Sequence, residues 1–238
     1  MTVRGYIFDY GGTLDTGGCH WGKTLWHAYQ RAGLPTDWAS FRRAYVYAER
    51  YIDAHDTIRP DDTFRTTLQT KIDLQTRYLC EHEGWTADET ERKSACLTLL
   101  DDLYAGVRRQ TAHSREVLAG LRRDYPLALV SNFYGNMPTV LREFALDHLF
   151  TTVIESAAVG IRKPDPRIFA LAIEAMGLTP GEVTVAGDSI KKDILPAKSL
   201  GCHTVWLQGE GWDDTPPDTT APDRIIKDLG SLEVIGER

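Results

Sequence analysis

Short apolar runs rich in β-branched residues recur along the chain and alternate with amphipathic segments. The runs lie at residues 3–9, 127–131, 151–155, 183–187 and 203–207. Most are followed by a polar or glycine turn and then by apolar residues at helical spacing, as at 111–124, 136–146, 166–177 and 190–200. Strands that are apolar along their whole length are typical of parallel sheets covered by helices on both faces. The pattern therefore predicts an α/β fold with a Rossmann-like parallel sheet.

The segment between residue 16 and about residue 109 has a different pattern. It contains no convincing strand, and its apolar residues recur at helical spacing. Gly33 ends the first of these helices, and Pro35 follows as a stop signal. Ligands of open parallel sheets bind at the carboxyl ends of the strands, and this segment leaves the end of the first strand. We predict an α/β core of residues 1–15 and 110–238, with an all-helical cap of residues 16–109 over the site.

The composition is that of an ordinary globular protein and narrows the range of partners. The 238 residues are 42% hydrophobic, enough for a sizeable core, and the net charge of −7 argues against nucleic acid or an anionic membrane as a partner. No apolar stretch approaches the roughly 20 residues that cross a bilayer, and the N-terminus lacks the apolar region of a signal peptide. A cytoplasmic location is expected. The four cysteines lack metal-site spacing and are expected to be reduced thiols.

Polar residues suited to binding a cation and an anion stand just after the predicted strands. In chain order they are Asp9, Ser131, Asn132, Lys163, Asp188 and Asp193. Each has an ordinary explanation when taken alone, because Asp, Ser and Asn are favoured in turns and helix caps. The carboxyl ends of parallel strands meet at one edge of the sheet, so we expect all six side chains to lie close together.

This set of side chains indicates attack on a phosphoryl group with help from magnesium. Magnesium prefers oxygen ligands and usually binds one or two protein carboxylates together with substrate phosphate. Asp9 and Asp188 can supply the carboxylates, and the backbone carbonyl of Gly11 can add a third oxygen. Asp9 can also attack phosphorus, while the cation, Lys163 and Ser131 neutralise the charge of the transferring group.

Four short motifs resemble those of one enzyme superfamily. DxxGTL at 9–14, SN at 131–132, KP at 163–164 and GDSxxxD at 187–193 are similar, in the same order, to the four motifs of the haloacid dehalogenase-like hydrolases. The resemblance covers nearly the whole chain outside the predicted cap. Segment 221–232 is also similar to the last strand and helix of that family.

The resemblance implies a role for each motif residue. It makes Asp9 the nucleophile and a magnesium ligand, Asp188 a second ligand, and Asp193 a supporting carboxylate. It also makes Ser131 a phosphate-binding hydroxyl and Lys163 the lysine that neutralises charge. The predicted phosphate-binding set is Gly12, Ser131, Asn132 and Lys163, and the predicted metal-binding set is Asp9, Gly11, Asp188 and Asp193.

The chain departs from the family pattern at Gly11. Phosphatases of the family carry there a second aspartate, which protonates the leaving group and activates water, and such acid–base help contributes about 10²–10⁴-fold in rate. Candidate replacements, none of them preferred, are Asp15, Tyr10, His20, His55 and Asp56. A leaving group that needs little protonation, as in an acyl phosphate, an aryl phosphate or a pyrophosphate, would fit the missing acid best.

Three other functions stay open beside a magnesium-dependent phosphatase for a small phosphorylated metabolite. One is a protein that binds such a metabolite, or a partner, without turnover. The second is a phosphonate hydrolase that uses a cap lysine, for which Lys23 is the candidate. The third is a metal-free haloacid dehalogenase, which the acidic GDSxxxD motif disfavours. Cap aromatic residues are expected to be mainly cap core, with one or two lining the pocket beside His20, Arg42 or Arg59. The oligomeric state is not predicted.

Overall fold

A six-stranded parallel sheet lies at the centre of the computed structural model, which describes residues 3–212 and 216–235, with no side chains described at 233–235. The strands are β1 (Gly5–Phe8), β2 (Leu127–Ser131), β3 (Thr152–Glu155), β4 (Val183–Gly187), β5 (His203–Leu207) and β6 (Arg224–Ile226). Their order across the sheet is β3-β2-β1-β4-β5-β6. The predicted α/β class with a parallel sheet is confirmed.

Alternate residues of the central strands enter two separate apolar clusters. Tyr6 and Phe8 of β1 pack on one face of the sheet, and Ile7 packs on the other, beside Val185 of β4. Side chains of successive strand residues point to opposite faces, so a sheet that is covered on both sides needs an apolar residue at every position. This explains why the sequence shows continuous apolar runs.

Four long helices fill the segment between β1 and β2. They are α1 (Trp21–Arg31), α2 (Trp38–Ala54), α3 (Phe64–His82) and α4 (Glu89–Leu121). Asp37, Thr63 and Asp88 cap the last three of them by accepting hydrogen bonds from backbone N–H groups of the first turn. Their buried apolar faces belong to the same cluster as one face of the sheet. The helical segment therefore packs directly over one side of the core.

Helix α4 differs from its prediction in length. The sequence pattern indicated one helix before residue 109 and another at 111–124, whereas the structure has a single helix of 33 residues that ends at Leu121. Val107, Thr111 and Ser114 are buried and continue its inner face, and no proline interrupts it. The division into a core and a cap at residue 109/110 stays a prediction, and its boundary falls inside this helix.

Shorter helices complete the described chain. They are α5 (Met137–Glu143), α6 (Ser156–Val159), α7 (Arg167–Ala175) and α8 (Leu195–Ser199). The helix predicted at 190–200 begins with a π-helical turn, Ile190–Ile194, before α8, and the helix expected after β6 is the 3₁₀ helix Leu229–Ile235. The segment 209–222 is rich in Gly, Pro, Asp and Thr, a composition that predicts a surface loop, and part of it lies outside the described residues. None of the helices in the described ranges has the length and apolar character needed to cross a membrane.

Candidate active site

The candidate site lies at the carboxyl ends of β1 and β4, which are neighbours in the sheet. From β1 the chain passes to β2 and β3 on one side of the sheet, and it then returns across β1 to build β4, β5 and β6 on the other side. Such a reversal leaves a crevice above the strand ends, where open α/β sheets bind their ligands. Asp9 follows β1 and Asp188 follows β4, so both side chains stand at this crevice.

Three carboxylates meet at the crevice, as the sequence predicted. One oxygen each from Asp9, Asp188 and Asp193 lies within 4.8 Å of the others. Asp9 and Asp193 are buried and Asp188 is half-buried. Burial, together with repulsion from Asp9 and Asp193, holds the pKa of the Asp188 carboxyl well above its ordinary value. A hard divalent cation would relieve that repulsion, and the all-oxygen donor set fits magnesium.

Lys163 is the counter-charge of the cluster. Its ammonium group donates hydrogen bonds to Oδ1 of Asp9, to Oδ1 of Asp193 at 2.7 Å and to the carbonyl of Val130 at 3.2 Å. Burial lowers the pKa of Lys163, but the neighbouring carboxylates outweigh it and raise that pKa above the ordinary value. Lys163 is therefore held as a cation whose charge faces the carboxylates of Asp9 and Asp193.

Asp193 has both carboxylate oxygens in use. Oδ1 accepts from Lys163, and Oδ2 accepts the backbone N–H of Ser189 at 3.0 Å. Gly187 makes this approach possible, because a Cβ at that position would lie 2.6 Å from atoms of Asp193. Asp193 thus fixes the Lys163 ammonium and the turn after β4, and its role in metal binding stays a prediction.

Thr13 is a site residue to which the sequence motifs assigned no role. Its buried hydroxyl lies 3.1 Å from Oδ2 of Asp9 and 3.2 Å from Oδ1 of Asp188, and it accepts the backbone N–H of Asp188 at 3.0 Å. A hydroxyl has one proton, so it donates to one carboxylate at a time. Thr13 thus ties the two strand ends together. The one signal in the sequence was its place in DxxGTL.

Gly12 is the position at which the two strand ends come closest. Its φ is +101°, and a Cβ there would lie 2.5 Å from the carboxylate atoms of Asp188. Only glycine satisfies both the left-handed backbone and this approach. Its N–H donates to Oδ1 of Asp15 at 2.7 Å, so the predicted use of this N–H in phosphate binding competes with an existing hydrogen bond.

The two residues of the SN motif have different surroundings. Asn132 borders the crevice, but its side chain bonds the backbone of Lys163 twice, accepting the N–H at 2.8 Å and donating to the carbonyl at 3.0 Å. Asn132 thereby fixes the loop that carries the lysine. Ser131 is buried at the end of β2, beside Val130. Phosphate binding by Ser131 and Asn132 stays a prediction.

The position of the missing acid, Gly11, borders the crevice and lies against Trp21. A Cβ on Gly11 would be 3.8 Å from Cδ1 of Trp21 and 3.9 Å from Nε1. That indole N–H donates to Oδ2 of Asp15 at 2.8 Å. Burial raises the pKa of Asp15 to about 7, although both hydrogen bonds favour its charged form. Asp15 is 1% exposed and stays below the crevice wall, so it holds Trp21 and Gly12 rather than facing the crevice.

Among the candidate replacements for the acid, His20 borders the crevice. Its Nδ1 accepts the N–H of Gly22 at 3.0 Å, so the ring carries its proton on Nε2. Tyr10 is fully buried between Phe64 and Phe133, and its hydroxyl has no partner among the described residues. The other two lie elsewhere: His55 stacks on the ring of Tyr51, and Asp56 is exposed.

A cavity of about 630 Å³ extends from the carboxylates up to the helical segment. Its lining includes several aromatic side chains, among them Trp21, Tyr45, Phe64, Phe133 and Trp212. Most other cap aromatic residues pack together as expected, for example Trp26 on Phe41. Arg42, Arg59 and Lys23 are not part of the cavity wall among the described residues. Arg42 lies instead over Trp212, 4.7 Å from the ring centre.

Comparison with known proteins identifies a family for this chain. The family model of the haloacid dehalogenase-like hydrolases matches residues 3–201. A phosphoserine phosphatase of Thermus thermophilus is 38% identical over 112 residues, 45% of this chain and 43% of the relative. A phosphoglycolate phosphatase of Vibrio cholerae is 30% identical over 149 residues, 60% of this chain and 65% of the relative.

The chain thus spans about half the length of the curated relatives it matches. A solved dehalogenase structure with an intermediate complex has a TM-score of 0.64 at 20% identity and covers 98% of this chain and 97% of its own, which shows a common fold. The family match over residues 3–201, together with the four motifs at one sheet edge, establishes that the chain belongs to the haloacid dehalogenase-like hydrolases.

Proposed function

We propose that this chain is a magnesium-dependent phosphatase that transfers the phosphoryl group of a small phosphorylated metabolite to Asp9. The observation that supports it most is the buried set of Asp9, Asp188 and Asp193 around the ammonium group of Lys163. Three carboxylates and one lysine leave a negative site, which suits a divalent cation and, with it, an anionic phosphate. Phosphatases among the similar proteins agree with this reaction class.

Asp9 is the nucleophile in this proposal. Its carboxylate attacks phosphorus, the bond from phosphorus to the leaving oxygen breaks, and water then hydrolyses the aspartyl phosphate to release inorganic phosphate. Lys163 and Thr13 each hold one oxygen of Asp9, which orients the carboxylate. Bound magnesium, held by Asp9, Asp188 and the Gly11 carbonyl, would supply charge neutralisation for the phosphoryl oxygens. Asp193 keeps Lys163 in place.

The leaving group is the feature that Gly11 restricts. No side chain at that position can donate a proton to the departing oxygen, and Asp15 lies below the cavity wall. Of the candidate replacements for the acid, His20 alone borders the cavity and Gly11 itself offers no proton, so we infer that substrates whose leaving group departs as an anion suit the enzyme best. Of the groups that meet this condition, an aryl oxide also matches the aromatic walls formed by Trp21, Phe64 and Phe133.

The metal-free dehalogenase is less well supported than the phosphatase. Attack on carbon with release of halide needs no cation, so it gives no reason to collect Asp188 and Asp193 beside Asp9. The phosphonate hydrolase would use a cap lysine in the cavity. The candidate, Lys23, is not among the lining residues that the structure describes, because its ammonium group lies 3.7 Å from Glu210 and over the ring of Trp38.

Phosphate release from alkyl, aryl and acyl phosphates, with magnesium and with EDTA, tests the proposal. We expect multiple turnover with magnesium, loss of turnover with EDTA, and loss in Asp9→Asn. Asp102→Asn is the matched control, because Asp102 is an exposed carboxylate on α4 that pairs with Arg31. Halide release from haloacids that persists in EDTA would support the dehalogenase instead. Stoichiometric binding of phosphorylated compounds by folded protein, without turnover, would support a binding role.

A further inference from the structure

A second polar cluster lies in the same cavity as Asp9, on the helical side. Its members are Glu49 of α2, Lys71 of α3 and Tyr134, which follows β2. The Lys71 ammonium donates to the Tyr134 hydroxyl at 2.9 Å, and this hydroxyl donates to Oε2 of Glu49 at 2.8 Å. Nζ of Lys71 is 2.6 Å from Oε1 of Glu49. The cluster therefore combines one anion and one cation at the wall of the cavity.

Glu49 and Lys71 each keep some hydrogen-bonding capacity beyond their mutual contact. Oε1 of Glu49 is buried and lies 2.6 Å from Nζ of Lys71, whereas Oε2 accepts one hydrogen bond, from Tyr134, and a carboxylate oxygen can accept two. Of the three N–H groups of Lys71, one is donated to the Tyr134 hydroxyl and one is taken by the contact with Glu49. The cluster can thus accept one more hydrogen bond at Oε2 and donate one more from Lys71. Both free capacities belong to residues that line the cavity.

Stability alone does not account for such a cluster. A buried ion pair replaced by apolar residues of similar volume is often neutral for stability or better, because removing two charges from water is costly. The cavity wall around Glu49 and Lys71 contains Tyr45, Leu68 and Phe64, so apolar packing was available there. The retained charges point to recognition of a ligand.

The charge balance narrows the chemistry of that ligand. Glu49 and Lys71 together are neutral, so a group with a single charge would leave that charge uncompensated in a partly buried site. A zwitterion adds no net charge: its ammonium group can donate to Glu49 and its carboxylate can accept from Lys71. The same cavity is also lined by the aromatic rings of Phe64 and Phe133.

We propose that Glu49 and Lys71 bind the ammonium and carboxylate groups of an amino acid that forms the leaving group of the substrate. This inference rests on the proposed phosphatase function and defines its substrate class as an aryl phosphate with an amino-acid end, for which O-phosphotyrosine is the probe. Tyr134 holds the two charged side chains in register and acts as a positioning residue.

Three aryl phosphates with the same kind of phenolic leaving oxygen, but different end groups, test the subsite with little change in the chemistry at phosphorus. They are O-phosphotyrosine, tyramine phosphate, which lacks the carboxylate, and the phosphate ester of 3-(4-hydroxyphenyl)propionate, which lacks the ammonium group. We expect kcat/KM for O-phosphotyrosine to exceed both others by about 10-fold to 100-fold, mainly through KM, since each loses one charge-assisted hydrogen bond. Equal kcat/KM for all three would overturn the inference while leaving the phosphatase proposal intact.

Two variants test whether Glu49 binds the ammonium group of the probe and Lys71 its carboxylate. Glu49→Gln should remove most of the advantage of O-phosphotyrosine over the ester without an ammonium group, and Lys71→Met should remove its advantage over tyramine phosphate. Tyr134→Phe should weaken binding of O-phosphotyrosine and preserve the order of the three probes. If Glu49→Gln and Lys71→Met lower kcat/KM for all three probes by the same factor, the cluster only stabilises the fold, and the inference is wrong.

Binding without turnover separates this inference from the phosphatase proposal. If no aryl phosphate is hydrolysed by folded protein, calorimetry with L-tyrosine and with tyramine still probes the subsite. Tighter binding of L-tyrosine, lost in Lys71→Met, would uphold the subsite although the proposed reaction had failed. Equal or undetectable binding of both compounds would overturn it.

Discussion

Restoring a carboxylate at position 11 provides the sharpest test of the role assigned to the missing acid. The backbone at Gly11 has no positive φ, and the two atoms that a Cβ would meet, both in Trp21, lie at the ordinary contact distances of 3.8 and 3.9 Å. Gly11 also borders the cavity. The substitution Gly11→Asp therefore fits the fold and, in the proposed mechanism, places an acid beside the leaving group.

The expected gain depends on the substrate. General acid catalysis contributes about 10²–10⁴-fold when the leaving group is a weakly acidic alcohol, which corresponds to about 3–5 kcal/mol of transition-state stabilisation. We expect Gly11→Asp to raise kcat/KM for alkyl phosphates by about 10²-fold or more, and for aryl phosphates by less than about tenfold. The slope of log kcat/KM against leaving-group pKa should accordingly become shallower.

Gly11→Asn is the matched control, because asparagine has nearly the shape of aspartate but no ionisable carboxyl group that could act as a general acid. Both variants should be compared at saturating magnesium, with the unfolding midpoint of each recorded. The reasoning is refuted if folded Gly11→Asp gives the same ratio of alkyl to aryl phosphate turnover as Gly11→Asn.

Three further substitutions probe the frame of the site. Gly12→Ala should lower the free energy of unfolding by about 1–3 kcal/mol in urea titrations, because the new Cβ strains the backbone and clashes with the Asp188 carboxylate. Gly11→Ala should be nearly neutral, since its Cβ has only ordinary contacts. Equal effects of the two substitutions would contradict the difference in space between the two positions. Lys163→Met leaves buried carboxylates without a counter-charge, so we expect the free energy of unfolding to fall by about 3–5 kcal/mol and magnesium to restore part of it. Lys198→Met, at an exposed ion pair, should lower it by less than about 1 kcal/mol. Similar losses in both variants would count against a buried ion pair at Lys163. The pKa of Asp15 rises from 3.8 to about 7 on folding, so its stabilising contribution is complete below about pH 4 and is lost as pH rises through 7. The difference in the free energy of unfolding between wild type and Asp15→Asn should therefore shrink by about 2–3 kcal/mol from pH 5 to pH 8. A constant difference would disprove the pKa shift.

The parts of the fold that sequence predicts are those with a local signature. Buried parallel strands need apolar residues at every position, which made β1, β2 and β4 visible as continuous runs. Residues at the ends of those strands must share one sheet edge. This is why Asp9 and Asp188 were identified as neighbours although 178 positions separate them in the chain.

The parts that sequence did not predict depend on contacts between distant segments. Glu49, Lys71 and Tyr134 come from two helices and a loop, and no spacing in the chain marks them as partners. Arg42 was a candidate pocket residue because of its charge, and it shares a face of α2 with Tyr45 and Glu49, which line the cavity. Its guanidinium nevertheless lies over the ring of Trp212 and is not part of the wall among the described residues. The position of a long side chain is decided by packing against distant segments, which a single sequence does not specify.

The continuous helix α4 has a mechanical consequence. Its 33 residues span about 50 Å and behave as a stiff beam, with one end beside the long helices α1 and α3 and the other end against the 3₁₀ helix that follows β6. A bending load on such a beam is taken up first where its backbone is least restrained. That place is Gly106 in the middle of the helix, because glycine has no Cβ and lowers helix stability by about 0.5–1 kcal/mol relative to alanine. We therefore expect α4 to bend first at Gly106, between the end that contacts α1 and α3 and the end that contacts the 3₁₀ helix.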